Sequence, residues 1–254
     1  MLNPFYLVFF LLLSQAVFAN EKPKPQSDAW ILASNQYALI GTTHNFGNID
    51  DPQLVDIENY FNYISPEVVV LEGGIWPNQS SKTGAINCCG EMGFLSYLAH
   101  KDNIEVVTWE PPADEEINSL KQKYKPSQLK LFYLLRQIPQ LLNDNNTPLA
   151  EQVDNWLKVQ GVLENEYKLA SPPYTYQQAA ALVQNYGYKL GDFKQFDALL
   201  NDNKQLNEFH DIKRDVNSIR DQNAIKIKRQ LQSKNTRFLM LMGKAHFRTV
   251  AFSN

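Results

Sequence analysis

Tyr37-Ala38-Leu39-Ile40-Gly41-Thr42-Thr43-His44 decides the reading of this chain: an aliphatic run of strand character breaks at a glycine and ends on a histidine. The pattern returns near the other end of the sequence, where Arg237 to Met242 runs into Gly243-Lys244-Ala245-His246. A third aliphatic run, Val68-Val69-Val70-Leu71, ends on Glu72-Gly73-Gly74. Short apolar runs bounded by turn residues read as buried strands, so three strands are expected to deliver a polar side chain at their carboxyl ends.

Between the first two runs, Pro52 to Ile64 places Leu54, Ile57, Tyr60 and Phe61 at helical spacing, which makes a β-α-β unit. A helix over Glu91 to His100 and a strand over Ile104 to Trp109, stopped by Glu110-Pro111-Pro112, extend the alternation. Such alternation predicts an α/β fold: a mainly parallel sheet, with a mixed sheet as the variant, covered by helices.

From Asp114 to Phe196 the strand signals vanish, and a helical insert over about 114–200 is expected. Thr147-Pro148 opens one helix that Gly161 closes; Thr175 with Gln178 forms a capping box for another, which ends at Gly187. The insert carries Tyr167, Tyr174, Tyr176, Tyr186, Tyr188 and Phe193, rings that either pack a small helical core or line a cleft as a lid. Asn203 to Ser233 reads as one long helix with an apolar stripe that Asn223 interrupts and beside which Arg220 stands.

Residues 1–19 read as a cleavable signal peptide. Phe5 to Leu13 is too short for a membrane span, which needs about 20 apolar residues, and Ala19 supplies the small residue before the cleavage point. The expectation is an exported protein, periplasmic or secreted, with residues 20–254 as a single α/β domain and no stable membrane span after cleavage. A net charge of −3 gives no footprint for nucleic acid or an anionic membrane surface, so a peptide or small-molecule substrate is the expected partner. Cys88 and Cys89 are adjacent; an oxidising compartment allows a disulfide between them, but two thiols without a chemical role are the simpler expectation.

Ligands of open α/β sheets bind beyond the carboxyl ends of the strands, where His44, Glu72 and His246 would sit. Two histidines and a carboxylate can hold a divalent metal, or can serve without one as a general base and its orienting partner. His100 and His210 lie in helical stretches without glycine or strand context and read as solvated.

Gly41-x-x-His44, the strand-end Glu72, Arg220-Asp221-x-Asn223 and Gly243-x-x-His246 together resemble the Tiki/TraB/GumN superfamily, similar in turn to erythromycin esterases and ChaN-type haem-binding lipoproteins. Gly90-Glu91 and Glu110-Pro111 also look like family positions, and Asp221 after Arg220 is similar to the esterase branch. The resemblance implies an esterase- or ChaN-like helix-covered sheet with His44, Glu72 and His246 at one site, Arg220 nearby, and hydrolytic chemistry. Tiki members are metal-dependent proteases, whereas the esterases share the His and Glu pattern without an established metal.

The resulting expectation is an exported hydrolase of a peptide or ester bond. His44, Glu72 and His246 would act as ligands of a divalent metal or as base and orienter, and Arg220 would stabilise charge developing on the substrate oxygen. The alternative is a ChaN-like carrier that binds haem or metal without turnover. Either way His44, Glu72 and His246 should face one cleft, with Arg220 on its wall and the helical insert above.

Overall fold

The computed structural model describes residues 21–44, 47–142, 147–167 and 171–253. The signal peptide read from residues 1–19 lies outside the described residues. Among those described, no helix is long and apolar enough to cross a membrane.

The centre of the molecule is a five-stranded mixed, mostly parallel sheet. Its strands are β1 (Trp30–Ala33), β2 (Tyr37–Thr42), β3 (Val68–Leu71), β4 (Glu105–Thr108) and β5 (Phe238–Gly243), in the order β1-β2-β5-β3-β4. The last strand of the chain is therefore the middle of the sheet, parallel to both β2 and β3. β1 is an antiparallel edge strand that the sequence reading does not include; it pairs Trp30 with Gly41 and Ala33 with Ala38.

Period-2 alternation assigns the two faces. Ala38, Ile40, Val69, Leu71, Leu239 and Leu241 point to one core, under α1 (Pro52–Ile64) and α2 (Lys82–Lys101). Leu39, Val68, Val70, Phe238, Met240 and Met242 point to the other. Pro at the start of α1 and the Asp51 side chain, which accepts from Gln53 N, fix where that helix begins.

α2 starts earlier than its sequence pattern suggests and is kinked. Cys89 and Gly90 leave helical geometry, and Gly90 sits at φ +58°, a conformation that favours a residue without Cβ. At this kink Cys88 and Cys89 are joined as a disulfide, in place of the two thiols expected.

The third core belongs to helices alone: α3 (Ala113–Leu120), α4 (Pro126–Leu141), α5 (Leu149–Tyr167), α6 (Tyr176–Gln184) and α7 (Phe196–Asp202). α5 runs through Gly161 rather than ending there, whereas Thr175 does cap α6 by accepting from Gln178 N. Phe193 is fully buried in this core, with Tyr176, Tyr186 and Tyr188 packed against it, while Tyr174 is exposed beneath Lys130. These rings pack the insert; the Tyr167 side chain lies outside what is described.

α8 (Asn207–Ser233) joins the two halves. Its 27 residues span about 40 Å at 1.5 Å per residue, long enough to serve both. Phe209, Ile212 and Val216 enter the helical core, and Ala224 packs on the sheet. Arg220 falls between them, within the buried stripe rather than beside it, and so does Lys228. Asn223 is half-buried, its amide donating to Trp109 O at 2.9 Å. Finally α9 (Lys244–Ala251) covers the sheet, and the Lys228 ammonium caps its end by donating to Val250 O at 2.7 Å and Ser253 O at 2.9 Å.

Candidate active site

β2 and β5 are parallel neighbours with Thr42 opposite Gly243, so the two Gly-x-x-His segments leave the sheet side by side. Glu72 emerges from β3 on the other flank of β5. His246 lies in the first turn of α9, and His44 in the loop after β2. That loop is fastened at Thr43, whose N–H donates to Gln53 Oε1 at 2.8 Å and whose carbonyl accepts from Gln53 Nε2 at 3.1 Å.

The two glycines make space for each other's motif. A Cβ on Gly41 would lie 2.8 Å from Phe247, the residue after His246. A Cβ on Gly243 would lie 2.9 Å from His44 Nε2. The repeated glycine is thus a packing requirement between two strand ends that lie about 200 residues apart in sequence.

Glu72 is the centre of the cluster. Its Oε2 accepts from Gly243 N at 2.6 Å and its Oε1 from Arg220 Nη2 at 2.8 Å. The Nε2 atoms of His44 and His246 each stand 3.8 Å from its carboxylate. Burial alone would raise its pKa, but Arg220, the two imidazoles and the Gly243 N–H hold it below the ordinary glutamate value.

Arg220 also forks onto Glu110, with Nε donating to Oε2 at 2.7 Å and Nη2 to Oε1, and its Nη1 reaches His246 Nε2 at 3.1 Å. Burial would lower its pKa, but the Glu110 and Glu72 carboxylates raise it. Four of its hydrogen bonds are thereby taken up inside the cluster, out of the five N–H groups a guanidinium carries. The Trp109 ring packs near both, 5.0 Å from the guanidinium and 5.2 Å from the His246 ring.

Each histidine has its own orienting carboxylate. Glu91, carried past the kink of α2, sits 2.5 Å from His44 Nδ1, and Asp221 sits 2.6 Å from His246 Nδ1. Because a guanidinium only donates, His246 Nε2 must accept, and the ring hydrogen is on Nδ1 toward Asp221. For His44 the hydrogen bond to Glu91 raises the pKa above 6.5, ahead of the opposing effect of burial. Its side chain is 43% exposed, so the imidazole is open to the cleft.

A metal held by His44, Glu72 and His246 would need the His246 Nε2 lone pair and the space beside Glu72 Oε1. Arg220 donates into both, and a guanidinium there would repel a divalent cation. Among the described residues no group of three or more His, Cys, Asp or Glu is arranged to hold a metal ion. In this arrangement the three residues do not fit a shared metal centre.

The cluster opens on a cavity of about 400 Å³ lined by His44, Glu72, His246, Arg220 and, from the helical insert, Phe132 and Arg136. That volume suits a small ligand or one end of a larger one. The insert does stand over the site, but α4 and α7 supply the wall rather than the tyrosines. His100 Nδ1 donates within its own helix to Ser96 O at 2.7 Å, and His210 is not among the residues that line this cavity. The pairings of Glu91 with His44, of Asp221 with His246 and of Glu110 with Arg220 are what the sequence reading lacks; Gly90-Glu91, Asp221 and Glu110-Pro111 were the available signals. Comparison of the chain with family models, with curated proteins and with solved structures gives no match.

Proposed function

We propose that the chain is a hydrolase of ester or peptide bonds in which His44, oriented by Glu91, activates a water without a metal. The observation that carries this reading is the 2.5 Å contact between Glu91 and His44 Nδ1, which aims a half-exposed imidazole into the cleft.

In the proposed reaction, His44 Nε2 takes a proton from water as the hydroxide oxygen bonds to the substrate carbonyl carbon. The Glu91 and Glu72 carboxylates stabilise the imidazolium that forms. As the tetrahedral intermediate collapses, His44 returns the proton to the leaving oxygen or nitrogen and the scissile bond breaks, giving an acid and an alcohol or amine. Arg220 contributes its remaining Nη1 hydrogen to the oxyanion and otherwise keeps Glu72, Glu110 and His246 in place. Asp221 and His246 position that guanidinium.

The Tiki/TraB/GumN resemblance, with its esterase-like Asp221, favours the same chemistry, and the esterase- and ChaN-like cast of the helix-covered sheet belongs to this proposal. So does export, which rests on residues 1–19; the Cys88–Cys89 bond suits an oxidising compartment.

The test is hydrolysis of a panel of p-nitrophenyl esters and fluorogenic peptides by the protein lacking residues 1–19. Turnover that survives dialysis against EDTA and is lost in His44→Gln supports the proposal. Turnover that EDTA removes and zinc restores would replace it with the metal-dependent mechanism. No turnover together with a Soret band on haem titration would favour the carrier.

A further inference from the structure

The cavity of about 400 Å³ has four cationic residues in its lining: Arg136, Lys213, Arg220 and Lys244. Three are neutralised by the protein. Lys213 pairs with Asp197 at 2.7 Å, Lys244 with Asp28 at 2.7 Å, and Arg220 with Glu72 and Glu110. Arg136, on α4, makes no hydrogen bond or ion pair among the described residues. Among the described residues no buried side-chain nitrogen or oxygen lacks a partner, so the Arg136 guanidinium faces the open cavity, where an anion can reach it.

Its surroundings sharpen the point. Burial depresses the Arg136 pKa, and the nearby Arg220 charge depresses it further. The nearest acids do not compensate fully: Glu110 is forked by Arg220, and Glu116 accepts from the Tyr133 hydroxyl. Burial pushes the Glu116 pKa up, which weakens its hold on a charge. Among the described residues Arg136 thus presents a charge that no ion pair takes up, while Glu72, Glu110, Glu116 and Asp197, with Lys194, line the larger adjoining space and disfavour a dianion. One delocalised monoanion, a carboxylate, matches both conditions and the fork geometry of the guanidinium. Phe132 and Phe196, which line the same cavity, supply an apolar surface for whatever carries it.

We propose that Arg136 anchors a free carboxylate on the substrate, so that this hydrolase acts on esters or peptides bearing a carboxylate on an apolar or aromatic group close to the scissile bond. The substrate class rests on the hydrolytic reading; the anion site itself does not.

Calorimetric titration of the protein with benzoate and with benzamide, its uncharged isostere, tests the anchor apart from turnover. The expected result is benzoate binding at least tenfold tighter than benzamide. Arg136→Gln should abolish that preference with benzamide affinity unchanged, and Arg136→Lys should keep a reduced preference, because the charge remains and the fork is lost. His44→Gln should retain the benzoate preference while losing hydrolysis. Equal binding of the two probes by the unmodified protein, no binding of either at millimolar concentration, or an intact preference in Arg136→Gln would overturn the anchor. Should Arg136→Gln not fold, Arg136→Lys carries the comparison, and an unreduced preference there would overturn it. A benzoate preference in a protein without turnover on any substrate would support the anchor and refute the hydrolase.

Discussion

The absent Cβ of Gly243 is the space in which His44 Nε2 sits: a methyl group there would stand 2.9 Å from that nitrogen and 3.4 Å from Glu72 Oε2. Gly243 has φ −64° and ψ 147°, a backbone conformation open to any residue, so this glycine is needed for room and not for conformation. Gly243→Ala should therefore fold, with a melting temperature within a few degrees of the parent. It should move the imidazole, and a displacement of about 1 Å lowers turnover on the order of 100-fold. Steady-state kinetics beside a thermal melt would check this; unchanged kcat/KM would mean that the His44 position is not what sets the rate.

A second expectation concerns pH. A general base works unprotonated, and the Glu91 hydrogen bond holds the His44 pKa above 6.5. The acid limb of kcat/KM should accordingly have its midpoint above pH 6.5, and Glu91→Gln should move that midpoint down while lowering the plateau. Stability runs the opposite way. A folded pKa raised over the unfolded one stabilises the fold fully below the unfolded value, and that contribution fades as pH rises through the folded value. The pH–rate profiles of both proteins decide the matter; a midpoint that Glu91→Gln leaves in place would remove Glu91 from the mechanism.

Arg220 is the residue on which the buried charges depend. Reading it as a polar residue beside an apolar stripe suggests that Arg220→Met would leave stability intact, but in the structure the swap strands two carboxylates. Glu72 and Glu110 would lose their cation, a loss of about 3–5 kcal/mol for a broken buried pair. Glu72→Gln should cost less, about 1–3 kcal/mol, because Arg220 keeps Glu110. The Glu72 pKa is depressed below 4.5, so its contribution is present above that pH and is lost as pH falls through the folded value. Urea denaturation of Glu72→Gln and the parent should show a gap at pH 7 that narrows below pH 4.5.

Much of this arrangement could be read from the chain, and for a physical reason. Strands that alternate sides and stop at glycines declare their own ends, so the ends of β2, β3 and β5 came out as expected and brought His44, Glu72 and His246 with them. β1 escaped because Trp30 to Ala33 is only four residues long, lies at an edge and lacks an Asn-Gly or similar turn before Tyr37. Helical contributors are harder, since the direction in which they aim depends on how the helix docks. Glu91 reaches His44 only after the turn at Cys89 and Gly90. Arg136 follows Leu134 and Leu135 on an amphipathic helix, where an arginine toward a cleft and one toward solvent share the same local sequence.

The pairing of Asp221 with His246 gives the last prediction. Asp221 fixes the hydrogen on His246 Nδ1, which leaves Nε2 to accept from Arg220 at 3.1 Å. In Asp221→Asn the amide can rotate and donate to Nδ1, which would shift the ring hydrogen to Nε2 and set it against the Arg220 N–H. Arg220 would then have to turn away, disturbing Glu72 and the edge of the cleft facing His44. Asp221→Asn should lower kcat about tenfold or more with a melting temperature close to the parent, since Asn keeps the size of Asp. His246→Gln, which cannot be held in one tautomer, should give a similar loss. If both residues act through one hydrogen bond, the double variant should lose no more than either single one, because removing the second member of a coupled pair changes little. Losses that multiply in the double variant would show that Asp221 and His246 serve the site independently, and the chain of orientation from Asp221 through His246 to Arg220 would not stand.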